Sequence, residues 1–487
     1  MELDVDLCWR AVTSRDRRFE GRFVLAVTTT GIYCRPGCPA RLPRRRNTRF
    51  FACPAAAEEA GFRPCRRCRP DSSPGSPAWA GSSATVSRGV RAILEGGLDE
   101  RPVDDLAARL GVGARHLRRL FADHLGASPR SLAKTRRVHF ARRLIEQTRL
   151  PMAEVATRAG FASIRRFNEA MRETFGASPR ALRAGVRAAP ATPGLALRLP
   201  WREPMAWREL LAYLAARATP GVESVTGGVY RRSIALDGTR GVLEARPDAE
   251  GRGLEIVLPP LAGRLLEATR RVARIFDLDA DTLSIAGVLG ADRHLRPLVR
   301  RRPGLRVPGA WDPFELAVRA ILGQQISVRA ATTFAGRLAT TFGEPLPEPL
   351  EDVTHVFPTP AALANARLER IGLPAARAAT VRAFAHAVDT GTLALHADRG
   401  LEDAIERLVR VPGIGPWTAH YVAMWALREP DAFPASDLGL RQALARDGAL
   451  PSAADVAKRA EAWRPWRAYA AVHLWTSLAA PSRRRTT

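Results

Sequence analysis

Val411-Pro412-Gly413-Ile414-Gly415-Pro416-Trp417-Thr418-Ala419-His420-Tyr421 is the stretch that decides how the second half of this chain is read. Apolar residues at helical spacing precede it (Leu401, Ile405, Leu408, Val409) and follow it (Tyr421, Val422, Trp425). Two helices joined by a Gly-x-Gly hairpin are therefore predicted. Gly413 and Gly415 let the backbone approach a phosphate, and the N–H groups that open the second helix favour an anion. Such a helix-hairpin-helix alone signals sequence-independent DNA binding. About twenty residues on comes Phe433-Pro434-Ala435-Ser436-Asp437-Leu438-Gly439-Leu440-Arg441, with a single acid, Asp437, and a basic residue, Arg441, placed for DNA contact. A lone Asp in such a place is usually a helix cap.

The order hairpin, helix, single Asp resembles the helix-hairpin-helix base-excision glycosylases. Residues from about 195 to 478 resemble, more closely, AlkA-type 3-methyladenine DNA glycosylase II. The matching pieces are Trp207–Ala218, the Phe314–Ser327 segment with Gly323-Gln324-Gln325-Ile326-Ser327, and Leu474-Trp475. The resemblance implies an α/β first domain, two helical domains and a cleft between them. It implies that Asp437 stands beside the sugar and stabilises the positive charge that grows as the glycosidic bond breaks. Trp417, Tyr421 and Trp475 would line an electron-rich pocket for an everted cationic base. The loop around Gln325 would fill the space that base vacates, with Gln325 where some relatives carry Leu. Strand-cleaving relatives place a lysine two positions after the Gly-x-Gly; here that position is Trp417, and Lys458 is the only lysine of this half. A monofunctional glycosylase with no cofactor for its own step is expected.

The first half has a different character. All six cysteines precede residue 70, and Cys34-x3-Cys38 with Cys65-x2-Cys68 has the spacing of a four-thiolate zinc site. Such a site carries a formal charge of about −2, offset by Arg35, Arg63, Arg66, Arg67 and Arg69. Cys8 and Cys53 lack paired spacing and are expected to be ordinary buried thiols. Spacing alone fits an inert structural knuckle too. The text around the cysteines, Phe23–Cys38 and Ala60–Cys68, resembles the N-terminal domain of the Ada adaptive-response protein. That resemblance makes Cys34 both a ligand and the acceptor of a methyl group from a DNA phosphotriester.

Gly126-Ala127-Ser128-Pro129-Arg130 recurs as Gly176-Ala177-Ser178-Pro179-Arg180, each behind an alanine-rich piece that ends near Gly111 or Gly160. This reads as two copies of a helix-turn-helix with basic second helices bearing Arg115 and Arg118, then Arg165 and Arg166. The segment resembles an AraC-type DNA-binding domain, above all in the second copy, from Ala159-Gly160-Phe161 through Phe167 and Phe175-Gly176 to Ser178-Pro179. Between 195 and 290, Val229–Asp237 and Gly241–Ala245 are expected to be strands around an Asp237-Gly238 turn.

The fold class expected is thus multidomain and mainly α. Residues 1–72 would form a small zinc-binding sensor, 84–186 an AraC-type double helix-turn-helix, 195–305 an AlkA N-terminal-like α/β domain, and 306–487 all-helical helix-hairpin-helix glycosylase domains. Linkers are expected at Asp71–Pro77 and Ala188–Gly194. Net charge is +26 over 487 residues, which points to a polyanionic partner. The partners expected are double-stranded DNA bearing alkylated bases or methyl phosphotriesters, promoter DNA and RNA polymerase. With no apolar run of membrane length and no signal pattern, a monomeric cytoplasmic protein is expected. The rival reading is a transcription regulator whose glycosylase half only binds DNA.

Overall fold

The computed structural model describes residues 3–16, 19, 22–65, 67–68, 70, 84–184, 194–236, 238–261, 263–445 and 448–479. Arg66, Arg69, the linker 71–77, all of the second linker but Gly194, and Asp237 of the expected turn lie outside them. The chain divides into two compact units: 1–203 with 235–273 and 278–281, and 204–234 with 274–277 and 282–487.

The first unit begins with a four-stranded sheet in the order Thr48–Phe51, Val24–Val27, Ile32–Cys34, Arg63–Pro64. The first three strands are antiparallel, and the last pairs parallel with Ile32–Cys34. A helical repeat follows. Its first copy is Val103–Arg109 and Ala114–Leu125; its second is Met152–Arg158 and Ile164–Phe175. The long helix Pro129–Gln147 joins them. The repeated Gly-Ala-Ser-Pro is explained by what each residue does. Gly126 and Gly176 end their helices at φ 66° and 64°, a left-handed conformation that glycine adopts without strain. Ser128 and Ser178 cap the next helices by accepting from the N–H of Ser131 and Ala181, and proline opens the first turn. Leu195–Pro200, Thr239–Pro247 and Gly253–Leu258 form antiparallel strands in this unit. Gln147 fastens the long helix to them, its amide accepting from Arg198 N at 2.8 Å.

The second unit holds the helix Trp207–Arg217, the strand Glu223–Thr226 paired antiparallel with the start of Val229–Leu236, and a helical body. The body's core gathers Phe314, Ile321, Leu338, Phe384, Leu408 and Val422, with Phe314 stacked on Phe384 at 5.7 Å. One feature corrects the all-helical expectation after residue 306: Pro345–Leu350 and Val353–His355 form a two-stranded ribbon. Three prolines in Pro345–Leu350 forbid a helix, and a two-stranded ribbon leaves edges on which missing N–H groups are tolerated.

A buried charge cluster joins the strand pair to the helix Pro313–Leu322. Arg232 donates to Glu315 at 2.6 Å, Arg319 to Glu223 at 2.9 Å, and the Tyr230 hydroxyl to Glu223 at 2.6 Å. Glu223, Arg232 and Glu315 are all buried, so none can recover its solvation if a partner is lost. Glu315→Ala therefore leaves Arg232 without its closest acid in a dry interior. A loss of about 3–5 kcal/mol is expected, seen in calorimetry as a lowered transition of the C-terminal part; an unshifted transition contradicts the cluster's role.

Candidate nucleic-acid and metal sites

The hairpin lies between the helices Leu401–Val409 and Pro416–Trp425, as the periodicity predicts. Gly413 has φ 86°, and a Cβ there would fall 2.0 Å from Thr380 Oγ1, so only glycine fits. Gly413 and Gly415 are both exposed, as a phosphate contact requires.

Asp437 is the N-cap of Leu438–Ala443, its Oδ1 accepting from Leu440 N at 3.0 Å. Capping does not exhaust this carboxylate, which takes two further donors. Trp475 Nε1 donates to Oδ1 at 2.8 Å and Trp417 Nε1 to Oδ2 at 3.0 Å. Trp417 reaches it from the hairpin's second helix and Trp475 from Arg467–Ala479. Trp417 also stacks on Tyr421 at 5.2 Å and 25°. Asp437, Trp417, Tyr421 and Trp475 are each only partly buried, so the acid and the rings are open to a ligand. Sequence reading found the three aromatics as ring faces; it missed that two of them orient the acid through their N–H groups.

Gln325 is exposed, at φ 57°, in the turn between Pro313–Leu322 and Val328–Phe342. Its neighbour Gln324, which the sequence did not single out, makes the attachments. Gln324 Nε2 donates to Gly413 O and Thr418 Oγ1, both at 3.0 Å, and its carbonyl accepts from Arg377 at 2.7 Å. One glutamine ties the turn to the hairpin while the next projects. Arg441 Nε donates to Pro451 O at 2.9 Å, so part of that side chain is committed to the fold.

In the first unit, Arg115 and Arg118 stand exposed on Ala114–Leu125, and Arg165 and Arg166 on Ile164–Phe175. Arg165 shares its charge with Glu169 at 2.9 Å. The cysteines converge as the spacing predicts. The parallel register Ile32↔Arg63 and Tyr33↔Pro64, with Cys65 N donating to Tyr33 O, brings Cys34 beside Cys65. A turn in which Cys38 N donates to Arg35 O folds the second thiol back. The sulfurs of Cys34, Cys38, Cys65 and Cys68 all lie within 4.8 Å of one another. Four sulfurs at about 2.3 Å from one ion would stand roughly 3.8 Å apart, so the donor set fits a tetrahedral metal with little adjustment. Arg35, Arg63 and Arg67 are near in sequence; Arg63 and Arg67 are exposed and Arg35 is partly buried. Cys8 and Cys53 are buried outside this group, and burial pushes each thiol up to about 11.

Beside Cys34, the fully buried Tyr33 donates its hydroxyl to Glu58 at 2.8 Å. Glu58 also accepts from Thr135 at 2.6 Å and meets His139 Nε2 at 2.9 Å, both on the helix that joins the two helix-turn-helix copies. Burial works against the Glu58 charge, but His139, Thr135 and Tyr33 outweigh it and hold the carboxyl below its ordinary range. The strand carrying Cys34 is thereby fastened to the helix that joins the two helix-turn-helix copies.

Residues 7–71 match the metal binding domain of Ada, 106–185 a helix-turn-helix domain, 196–312 the AlkA N-terminal domain, and 318–468 the HhH-GPD superfamily base excision DNA repair protein. The chain is 44% identical over 486 residues to the probable bifunctional transcriptional activator/DNA repair enzyme AlkA of Mycobacterium tuberculosis, covering 99% of this chain and 98% of that one. It is 38% identical over 284 residues to DNA-3-methyladenine glycosylase 2 of Escherichia coli, 57% of this chain and 95% of that one. Among solved structures, a 3-methyladenine DNA-glycosylase from Archaeoglobus fulgidus superposes with a TM-score of 0.51 at 28% identity, covering 57% of this chain and 97% of that one. No helix among the described residues is long and apolar enough to cross a membrane. At 44% identity over nearly its whole length, the chain belongs to the family of bifunctional transcriptional activator and DNA repair enzymes, an Ada-type metal-binding and helix-turn-helix half joined to an AlkA-type base-excision DNA glycosylase half.

Proposed function

We propose that this protein hydrolyses the N-glycosidic bond of alkylated purines such as 3-methyladenine in duplex DNA, and that its first half senses methyl phosphotriesters and activates promoters. Functionally the chain is read as a sensor at 1–72, a DNA reader at 84–186, an α/β domain at 195–305 and a glycosylase at 306–487. The observation that carries the enzymatic reading is the Asp437 carboxylate, fixed by the N–H groups of Trp417, Trp475 and Leu440 beside half-exposed rings. A purely DNA-binding half has no need of an acid aligned by two indoles. As the bond breaks, positive charge builds on the deoxyribose, and a carboxylate already oriented stabilises it without reorganisation. The departing base is itself cationic, so it leaves without an acid, and the rings of Trp417, Tyr421 and Trp475 favour it over neutral bases. Gln325 would occupy the gap in the duplex, and the Gly413–Gly415 hairpin and Arg441 would hold the backbone.

For the sensor, the four thiols are read as ligands of one Zn²⁺, which keeps them deprotonated and nucleophilic when bound. Cys34 Sγ would attack the methyl carbon of a phosphotriester. A C–S bond forms, the C–O bond breaks, and the phosphodiester departs with the electron pair. The site then carries one negative charge fewer, and repulsion from DNA phosphates falls. The Tyr33–Glu58–His139 contacts tie the strand carrying Cys34 to the helix that joins the two helix-turn-helix copies.

Asp437→Asn keeps the shape but removes the charge. A fall in excision of ~10²–10³-fold is expected, with duplex affinity nearly unchanged; normal excision by this variant refutes the catalytic assignment. With tryptophan at the position of the lyase lysine, borohydride should trap no protein–DNA adduct, and strands should break at damaged purines only after alkali. Stripping zinc with a chelator should loosen the sensor and abolish methyl uptake. Mass spectrometry of the holoprotein after exposure to methyl-phosphotriester DNA should then find one added methyl on the Cys34 peptide, and a methyl on none of the four cysteines removes the sensor reading.

A further inference from the structure

Trp425 donates no hydrogen bond to Asp437, yet it belongs to the same aromatic assembly. Positions 417, 421 and 425 are four apart on one helix, so the three rings form a single stripe. Trp425 tilts against Tyr421 at 5.9 Å, lies nearly parallel to Trp475 at 6.1 Å and 19°, and stacks on Tyr213 at 5.0 Å and 21°. It therefore touches two of the three rings read as the base site. It is 2% exposed, whereas Trp417, Tyr421 and Trp475 are partly open. The open rings stand in front and Trp425 behind them. It has no room to retreat, because Tyr213 at its back is itself covered by the Arg217 guanidinium, 3.9 Å from the ring centre.

The Trp425 indole N–H is buried and has no hydrogen-bond partner among the described residues. An unpaired buried donor is unfavourable, and a phenyl ring would stack here without it. What the position gains from tryptophan is thus the reach of its second ring, not its polar group.

We propose that Trp425 is the rear wall of the base site and sets its depth, so that the protein accepts purines with small N-alkyl groups and rejects bulky ones. This rests on the glycosylase reading of Trp417, Tyr421, Trp475 and Asp437. In a hydrophobic pocket a single methylene of mismatch changes the rate about 10–200-fold, so a side chain at the pocket's end can carry discrimination by size.

The test uses the full-length protein under single-turnover conditions on duplexes bearing N7-methylguanine or N7-benzylguanine. The wild type should remove the methyl adduct and act on the benzyl adduct far more slowly. Trp425→Leu should raise the benzyl-to-methyl rate ratio by about tenfold, even if both rates fall. Trp425→Phe, which keeps the stack but shortens its reach, should raise the ratio about threefold. A role confined to packing would lower both rates together and leave the ratio alone. A ratio within twofold of wild type in whichever variant folds therefore overturns the proposal. A wild type that leaves N7-methylguanine and 3-methyladenine intact instead sinks the glycosylase reading, and this proposal with it.

Discussion

Everything proposed for the second half depends on one carboxylate held by three N–H donors. Asp437 receives Leu440 N from its own helix, Trp417 Nε1 from the hairpin helix and Trp475 Nε1 from the last helix. Three elements meet at two oxygen atoms. A flexible acid in water would have to reorient as charge develops on the sugar; this one is already aligned. The same contacts explain why Trp417 and Trp475 are indoles. A phenylalanine would offer a π face to a cationic base but no hydrogen to the acid.

The placing of the hairpin follows from the same economy of parts. Gln324 fastens the turn to Gly413 and Thr418, so the hairpin backbone and the projecting Gln325 are placed together. The helix before that turn is anchored at its start by Glu315 and near its end by Arg319, in the buried charge cluster with Glu223 and Arg232. Strain or loss there would be felt at the loop, since interiors packed this closely transmit displacement.

Much of this was legible in the sequence, for identifiable reasons. The hairpin, the capped Asp437 and the cysteine spacing are local patterns, and local geometry fixes them. The Gly-Ala-Ser-Pro repeat was equally plain, since each residue has one conformational task. What was hidden depends on residues far apart in the chain. That Trp475 donates to Asp437 needs the last helix to be placed, 38 positions on. That Gln324 holds while Gln325 projects turns on a positive φ at a residue that is not glycine, which no propensity announces. Trp425 looked like one more core residue because a stripe at helical spacing is the ordinary sign of a core. The ribbon at Pro345–His355 escaped notice because its prolines mark a break without saying what replaces the helix. The Glu58 cluster joins Tyr33 of the first sheet to His139, 81 positions beyond Glu58, and no motif carries it.

The central claim is that Asp437 faces developing positive charge. Its most direct measure is the affinity of the full-length protein for two duplexes that cannot react, one with a cationic pyrrolidine in place of the damaged sugar and one with a neutral tetrahydrofuran. The account predicts that the wild type prefers the cation by at least ~10²-fold, and that Asp437→Asn loses most of that preference while still binding the neutral duplex. An equal preference in both proteins would place the charge-stabilising group elsewhere and contradict the account.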